Sequence, residues 1–523
     1  MDQQQDYETS SHKLQQWYRN IMPTGAGALF FIQMFSTLSF SVLYSTLILY
    51  TTKALGMNDV MATSITGSFV ALNFFLHLLG GYIGGRFLTY RSLFSIGMVL
   101  QILGCILISV PTTNFLLWGL AAFLAGCGLN VTCINCMVTQ LFDPDDKRRE
   151  SAFLWNYSGM NVGFFVGFSI SGYFHLIQAY QQLFLLSAFG NLIALLLTWY
   201  NWKILKDRHT PFLDLAISKQ MATRFLGMGM VVALVFILRS SLQETALSNQ
   251  LILIISVAML FLIIALTLKQ QTEAARNKMW AYIILALSSI FFWALYQLAP
   301  MGLNLFIERN VDRHFLGHVI APQWVQNINT IVIIIGGPIL SIVFNRLRDR
   351  GINIKIPLQF SIALLLIGIA FAILPLGIAT ANAQGYVNFN WILICYVLQS
   401  VGELFISPIG YAMVGQLAPV RLRGLMMGMW MMVTGIAAIL SGQFSQFALG
   451  PSGSKNPLIT NPSYSHTFGI LGISAIVAGV VIFILIPFIS RLTQEKKIIN
   501  MRDLNQDQHS FNSNLEPEVD HVQ

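Results

Sequence analysis

The feature that most constrains this chain is a succession of about fourteen apolar runs, each of roughly 20 residues or more, the length at which an α-helix crosses a bilayer. In lipid every backbone polar group must be bonded within the chain, so such runs fold as helices. The 523 residues are 55% hydrophobic and 10% charged, whereas soluble domains are about a quarter charged. The sequence therefore predicts an all-α polytopic membrane protein. The predicted spans are 25–52, 58–84, 90–110, 114–141, 150–176, 179–202, 222–240, 247–268, 278–306, 322–345, 356–379, 389–417, 422–447 and 466–491.

The polar segment 203–221 divides these spans into groups of six, two and six. Two six-helix bundles around a central cavity are the plan of major-facilitator transporters, whose substrate sites lie near the membrane midplane. The final segment is polar and has no apolar periodicity, so we expect it to be disordered. The predicted division is a cytoplasmic tail at 1–23, a bundle at 24–203, a linker with two extra helices at 204–276, a bundle at 277–492 and a cytoplasmic tail at 493–523.

The basic residues predict the orientation. Cytoplasmic loops of membrane proteins carry an excess of Lys and Arg, which places both termini in the cytoplasm. The same distribution explains the net charge of +8 without a nucleic-acid partner. Of the 30 Lys and Arg, only five fall in the loops predicted outside, namely Lys53, Arg239, Arg309, Arg313 and Lys455.

The cysteines do not indicate a metal site or a disulfide. Cys133 and Cys136 have metal-like spacing, but they lie in a membrane helix without a matching second pair and are typical of small interface residues. No nucleophile–base pair is evident, so we expect neither a cofactor nor an enzyme. We expect a monomer in the inner membrane of a bacterial cell.

Glu403 is the one acidic side chain deep inside an apolar run. A carboxylate in hydrocarbon costs about 2.5 kcal/mol or more, so such residues usually face a bundle interior and act there. The alternative is a Glu that bonds a neighbouring backbone for packing alone. The Ser407–Pro408 pair should break its helix, and Pro300 and Pro338 predict similar breaks.

Histidine offers a second titratable group within a span. His77 has an unperturbed pKa near 6.5 for its residue type, which makes it a candidate proton carrier. The alternative is a neutral imidazole bonded to a facing helix. His175, His314 and His318 fall near the predicted outer surface, where we expect them to be solvated.

Four stretches carry a resemblance to the proton-dependent oligopeptide transporter (POT) family, the peptide-transporter branch of the major facilitators. The first is Asp-Asp-Lys-Arg-Arg-Glu-Ser-Ala-Phe at 145–153, followed by Tyr-Ser-Gly-Met-Asn-Val-Gly at 157–163. The others are Phe-Phe-Trp-Ala-Leu-Tyr at 291–296, Pro-Gln-Trp-Val-Gln-Asn-Ile-Asn at 322–329, and Gly-Glu-Leu-Phe-Ile-Ser-Pro at 402–408 with Leu-Met-Met-Gly-Met-Trp at 425–430. The resemblance covers the chain from Thr24 to about Arg491.

The resemblance implies proton-coupled transport of di- and tripeptides, with Glu403 approaching the peptide amino group. Amides suit the peptide bond, and tryptophans supply apolar walls for variable side chains. The family's pocket positions fall on Asn161, Trp293, Asn329, Ser407 and Trp430, and the position of its seventh-helix acid falls on Tyr296 or Gln297.

The chain departs from the family in its amino-terminal half. The first-helix motif of two acids and an Arg is replaced by a neutral run that includes Gln33, Ser36 and Thr37. The family's fourth-helix Lys aligns with Val131. This half therefore lacks the cations that hold a peptide carboxylate and the acids that relay protons. Glu403 and His77 are the remaining candidates for proton coupling.

We interpret the chain as a secondary active transporter of di- and tripeptides or peptide-like amine-bearing solutes. It would work by alternating access, with proton coupling altered or lost. One alternative is an uncoupled facilitator of a non-peptide solute. The other is a sensor or scaffold that retains the fold without transport.

Overall fold

A computed structural model describes residues 25–142, 146, 148–208, 210–315, 317–352, 354–450 and 454–493. The predicted tail at 1–23, and that at 493–523 apart from Thr493, lie outside the described residues. The first part of the motif at 145–153 is likewise only partly described.

Six helices form the first bundle, and two more follow. Gly84 ends α2, and Thr89 caps α3 by accepting a hydrogen bond from the backbone N–H of Ser92. The helices are α1 (Ala26–Lys53), α2 (Asp59–Ile83), α3 (Tyr90–Ile108), α4 (Thr113–Gln140), α5 (Arg148–Leu176), α6 (Tyr180–Tyr200), α7 (Ile217–Gln243) and α8 (Thr245–Leu268).

The second bundle contains shorter pieces and four two-residue strands. Helices α9 (Glu273–Tyr296) and α10 (Gly302–Asn310) are followed by β1 (Val311–Asp312), β2 (His314–Phe315) and β3 (His318–Val319). β1 pairs in parallel with β4, and β2 pairs antiparallel with β3. The remaining elements are α11 (Pro322–Val325), α12 (Asn327–Asp349), α13 (Ile356–Ala372), α14 (Leu374–Ala379), β4 (Val387–Asn388), α15 (Phe389–Leu417), α16 (Arg423–Leu449) and α17 (Pro457–Thr493).

The all-α polytopic prediction is confirmed. Within the described ranges, 13 helical segments are long and apolar enough to cross a membrane. Helix α5, of 29 residues, is not among those 13 but packs along α1 inside the first bundle. With α5 included, the described chain has fourteen long helical segments, the number predicted for the membrane spans.

Helices α1 and α5 approach each other backbone to backbone. Gly159, Gly163 and Gly167 recur every fourth residue, on one face of α5. A Cβ atom at these positions would collide with Phe30 and Met34 of α1 for the first two, and with Ser41 for the third. Small residues in such a row allow membrane helices to pack tightly.

Polar groups on the other side of α1 are bonded within the first bundle. Ser39 Oγ lies 2.7 Å from Asn191 Oδ1 of α6 and 3.3 Å from Gln101 Oε1 of α3. These three side chains are buried. Since a buried hydroxyl without a partner is costly in hydrocarbon, this contact helps to fix α1 against α3 and α6.

The two ends of the bundle differ. We call the end where residues 201–216 join α6 to α7 the linker face, and the end that carries Lys53 and Glu308 the far face. Bonds between the two bundles lie from the cavity level outward to the far face, as far as the described residues go. The Arg309 guanidinium donates two hydrogen bonds to the Asp59 carboxylate, at 2.6 and 2.7 Å. Asn304 Nδ2 donates to the Ser45 carbonyl at 2.8 Å.

Glu308 is the centre of the contacts that close the cavity at the far face. Lys53 and Arg313 pair with its carboxylate, and His175 Nε2 lies 3.2 Å from its Oε2. Burial alone would raise the pKa of Glu308, but these partners outweigh it and lower the pKa to about 2. The prediction that His175 is solvated is wrong: it is 1% exposed and also lies 2.7 Å from the Tyr180 hydroxyl. Through these two contacts of His175, the end of α5 lies against the start of α6 and against α10. The sequence alone does not indicate this packing.

Two of the three predicted proline breaks are also wrong. Pro338 lies inside α12 and Pro408 inside α15, both of which continue through the proline. Membrane helices tolerate proline where neighbouring groups satisfy the freed carbonyl. Only Pro300 coincides with a break, between α9 and α10, so the predicted span 278–306 is two helices. The last predicted span, 466–491, begins too late, since α17 begins at Pro457.

Candidate functional site

A cavity of about 310 Å³ lies between the two bundles. It brings together residues from α1 to α5 of the first bundle and from α9, α12, α15 and α16 of the second. Every residue singled out from the sequence as a candidate for binding or proton coupling lines it. These are His77, Asn161, Trp293, Tyr296, Gln297, Asn329, Glu403, Ser407 and Trp430.

Glu403 projects from the middle of α15 and is half-buried. Asn329 Nδ2 lies 2.7 Å from Glu403 Oε2 and 3.1 Å from the Ser400 hydroxyl oxygen. The Tyr296 side chain lies beside the carboxylate. All of these partners are neutral, and no Lys or Arg is among the described residues that line the cavity. The carboxylate is therefore positioned by a hydrogen bond but has no countercharge among the described residues of the lining.

Aromatic side chains make a rigid wall beside the carboxylate. Trp293 and Tyr296 pack edge to face with ring centroids 5.4 Å apart, and Phe292 stacks on Tyr296 at 6.0 Å. Trp430 is buried in contact with Gly410 of α15, where a Cβ atom would collide with the indole. The glycine thus allows α16 to hold its tryptophan against α15.

A tyrosine from the opposite bundle reaches this wall. The Tyr44 hydroxyl of α1 donates to Gln297 Oε1 at 2.8 Å, just after α9 ends. Sequence reasoning did not single out Tyr44. The bond joins the two bundles at the level of the cavity, so any separation of the bundles at this level must break it.

The polar cavity residues of α1 and α5 are neutral and largely satisfied by bonds within their own helices. Gln33 Nε2 donates to Thr37 Oγ1 at 2.7 Å, and the Ser36 hydroxyl donates to the Gln33 carbonyl at 3.0 Å. Asn161 Nδ2 donates to the Tyr157 carbonyl at 2.9 Å, within its own helix. These bonds use donors that would otherwise be available to a charged ligand.

His77 lies in the cavity wall with its ring against Phe74, at a centroid distance of 5.8 Å. Its backbone carbonyl accepts a hydrogen bond from Thr132 of α4 at 2.8 Å. Its Nε2 has no hydrogen-bond partner among the described residues. The bond to the facing helix therefore involves the backbone of His77 rather than the imidazole.

Several further cavity residues escaped sequence reasoning. They share an amide or hydroxyl group within an apolar run, the signal that identified Glu403 but without its charge. Each of the five carries a buried polar atom that no described residue bonds. They are Asn73, Asn130, Gln326, Tyr396 and Gln399.

Comparisons with known proteins agree with this geometry. The sequence profile described as "POT family" matches residues 90–459. The chain is 32% identical to a dipeptide and tripeptide permease A of Cronobacter turicensis over 90% of this chain and 93% of that protein. It is 31% identical to a protein of the same name from Erwinia pyrifoliae, over 90% and 94% respectively.

Solved structures resemble the chain over nearly its whole length. A POT family transporter in complex with 5-aminolevulinic acid has a TM-score of 0.77 and 25% identity, over 90% of this chain and 97% of that one. A peptide transporter POT mutant in complex with alafosfalin has a TM-score of 0.79 and 24% identity, over 90% and 96%. The predicted major-facilitator fold is therefore confirmed.

Proposed function

The chain belongs to the POT family, and from that premise we propose that it carries dipeptides, tripeptides or peptide-like amine-bearing solutes across the membrane by alternating access. The names of its relatives, dipeptide and tripeptide permeases, support a peptide substrate. The complexes with alafosfalin and 5-aminolevulinic acid among its structural neighbours support a wider range of small solutes.

The observation that carries the proposal is the environment of Glu403. Its carboxylate faces a cavity of solute size, accepts a hydrogen bond from Asn329, and meets no cation on the described lining. An opposite charge within a few ångström stabilises a charged group. A solute amine would supply that charge, while Trp293 and Trp430 would contact its apolar parts.

The arrangement of the bundles supports alternating access. Closure lies at the far face, whereas Tyr157, on the linker-face half of α5, lines the cavity and is 47% exposed. We infer that the cavity opens toward the linker face, and that bundles 24–203 and 277–492 move against each other around it. Helices α7 and α8, within 204–276, would stay outside this movement.

We infer a bacterial inner-membrane monomer with the linker face and both termini in the cytoplasm, following the distribution of basic residues. The structure then corresponds to an inward-facing state. Reporter tags at Met1 and Gln523 should be protected from outside and a tag at Ser454 accessible. Termini on opposite sides of the membrane would contradict this topology.

Proton coupling separates the proposed function from a second candidate function, that of an uncoupled facilitator. The described cavity residues of α1, such as Gln33, Ser36 and Thr37, are neutral, which favours weak coupling or an uncoupled facilitator. Glu403 and His77 remain the candidate proton carriers. Uptake into liposomes should respond weakly to an imposed inward proton gradient at clamped membrane potential; a steep response would refute weak coupling.

The proposal is tested by Glu403→Gln, with Glu273→Gln, an exposed acid at the start of α9, as the matched control. Removing one partner of a desolvated charge pair costs about 3–5 kcal/mol, so binding of Ala-Ala amide should weaken by at least about a hundredfold. Glu273→Gln should bind as wild type. Unchanged binding by folded Glu403→Gln would make Glu403 a structural residue.

A further inference from the structure

The cavity has one formal charge and no counterpart to it. Glu403 is acidic, and the other titratable groups on the described lining are His77, Cys127 and several tyrosines. A free peptide carries an amine at one end and a carboxylate at the other. The amine can pair with Glu403, whereas the carboxylate would find no Lys or Arg on this lining. Burying an unpaired carboxylate is costly because it loses its hydration.

The first-bundle wall could compensate for the missing cation only if it offered a carboxylate many free neutral donors. On α1 they are already used, because Gln33 bonds Thr37 and Ser36 bonds its own helix. At the position on α4 where a cation could point into the cavity, the chain has Val131, which lines the cavity and is 36% exposed. The described lining of this wall therefore offers a carboxylate no positive charge, and among its unpartnered buried atoms only Asn130 Nδ2 is a fixed donor.

The same wall is well suited to a neutral polar group. Buried polar atoms without a described partner include Asn73 Oδ1, both amide atoms of Asn130, and His77 Nε2. Across the cavity, Gln399 Oε1 and both amide atoms of Gln326 are in the same situation. These side chains line the cavity but bury their unpartnered atoms, so a ligand can supply the missing bond once the side chain turns toward it. A primary amide has donors and acceptors for both kinds of atom, whereas a carboxylate only accepts.

We propose that the preferred solute is a monocation: a primary amine joined to neutral polar groups, with no free carboxylate. Peptide amides and peptide-like amines with a blocked acid end belong to this class. The inference rests on the proposed function and specifies the substrate class of the same site. The amine pairs with Glu403, and the neutral end meets the amides of α2 and α4.

The decisive experiment measures the affinity of the purified full chain, in detergent, for three ligands: Ala-Ala, Ala-Ala amide and N-acetyl-Ala-Ala amide. The amide should bind at least about tenfold more tightly than the free acid, since each tenfold is only about 1.4 kcal/mol. The acetylated amide, which lacks the cation, should bind far more weakly than the free-amine amide.

The experiment separates a failure of the proposed substrate class from a failure of the proposed role of Glu403. If Ala-Ala binds as tightly as its amide or more tightly, the substrate class is wrong while the peptide-binding function stands. If the acetylated amide matches the free-amine amide, or if neither amine ligand binds, the proposed role of Glu403 fails and the substrate class fails with it.

Two substitutions at Val131 test whether the missing cation causes the preference for the amide. Val131→Lys places a cation in the first-bundle wall, and Val131→Met is the control for size. Val131→Lys should reduce the preference for the amide by at least about fivefold, whereas Val131→Met should keep the wild-type ratio. If folded Val131→Lys keeps that ratio, the missing cation does not set the preference and the proposal is wrong. Thermal unfolding in detergent shows whether each variant is folded.

Discussion

Glu403 and Glu308 are two acids of the same half that lie in opposite surroundings. Glu308 is outside the membrane-spanning segments, has a side chain only 6% exposed, and meets Lys53, Arg313 and His175. Glu403 lies in the cavity, where its described hydrogen-bond partner is the neutral Asn329 and the neutral Tyr296 lies beside it. A carboxylate satisfied by the protein holds the protein together, and one left without a countercharge is available to a ligand.

The same contrast separates the two cavity walls. The second-bundle wall presents an acid beside aromatic rings, whereas the polar groups of the first-bundle wall are neutral amides and hydroxyls, some bonded within their own helices and some without a described partner. Recognition of charge is thus assigned to one bundle and recognition of neutral groups to the other. Four changes test how sharp this division is.

The largest effect on stability is expected from Glu308→Gln. A carboxyl whose pKa falls from about 4.5 to about 2 on folding contributes about 3 kcal/mol at neutral pH. Denaturation in detergent should show a loss of about that size for Glu308→Gln and little loss for Glu403→Gln. Equal losses for the two substitutions would remove the distinction between the acids.

The pH dependence of this difference follows from its sign. The pKa of Glu308 is lower in the folded protein, to about 2, so its stabilisation is present above about pH 4.5 and fades as the pH falls toward 2. The stability gap between wild type and Glu308→Gln should therefore be about 3 kcal/mol at pH 7 and close to zero near pH 2. A gap that stays constant over this range would show that the carboxylate is not held by its cations.

A matched pair of amide substitutions compares the walls. Asn329→Leu removes a hydrogen bond to a charged group, worth about 1.5–3 kcal/mol, and should weaken binding of Ala-Ala amide about ten- to a hundredfold. Asn161→Leu removes a neutral bond to the Tyr157 carbonyl and should weaken it less than about tenfold. Calorimetric titration of both variants measures the ratio, and a larger loss for Asn161→Leu would reverse the assignment of the walls.

The smallest effect is expected from Thr37→Val, which keeps the shape of the side chain. It removes the acceptor of Gln33 Nε2, and the net value of such a bond is about 1 kcal/mol. Binding of Ala-Ala amide should change by less than about fivefold, since Gln33 lines the cavity and its freed amide can meet the ligand. A loss comparable to that of Asn329→Leu would mean that the first-bundle wall also recognises the cation.

Much of this site could be predicted because charge in an apolar run is a strong signal. Glu403 stands out from its neighbours by the cost of burying a carboxylate, and Trp293 and Asn329 followed from the resemblance. Asn73 and Gln399 could not be distinguished in the same way, because neutral amides in membrane helices also serve ordinary helix packing.

The far-face network was beyond sequence reasoning for a different reason. Glu308 and its partners Lys53 and His175 are far apart in sequence, and their pairing depends on how two bundles meet. The continuity of α15 through Pro408 has the same origin, since neighbouring helices decide whether a proline ends a helix or is accommodated. Local patterns predicted the helices, and contacts between helices decided these details.

The bond between Ser39 and Asn191 has a consequence for biosynthesis. The ribosome delivers α1 first, yet its buried hydroxyl waits for an amide on α6, 152 positions later in the chain. Chains fold from the amino terminus as they are made. Until the sixth helix arrives, the Ser39 hydroxyl can bond only the Ser36 carbonyl of its own helix or Gln101 of α3, so the final packing of the first helix is completed late in synthesis.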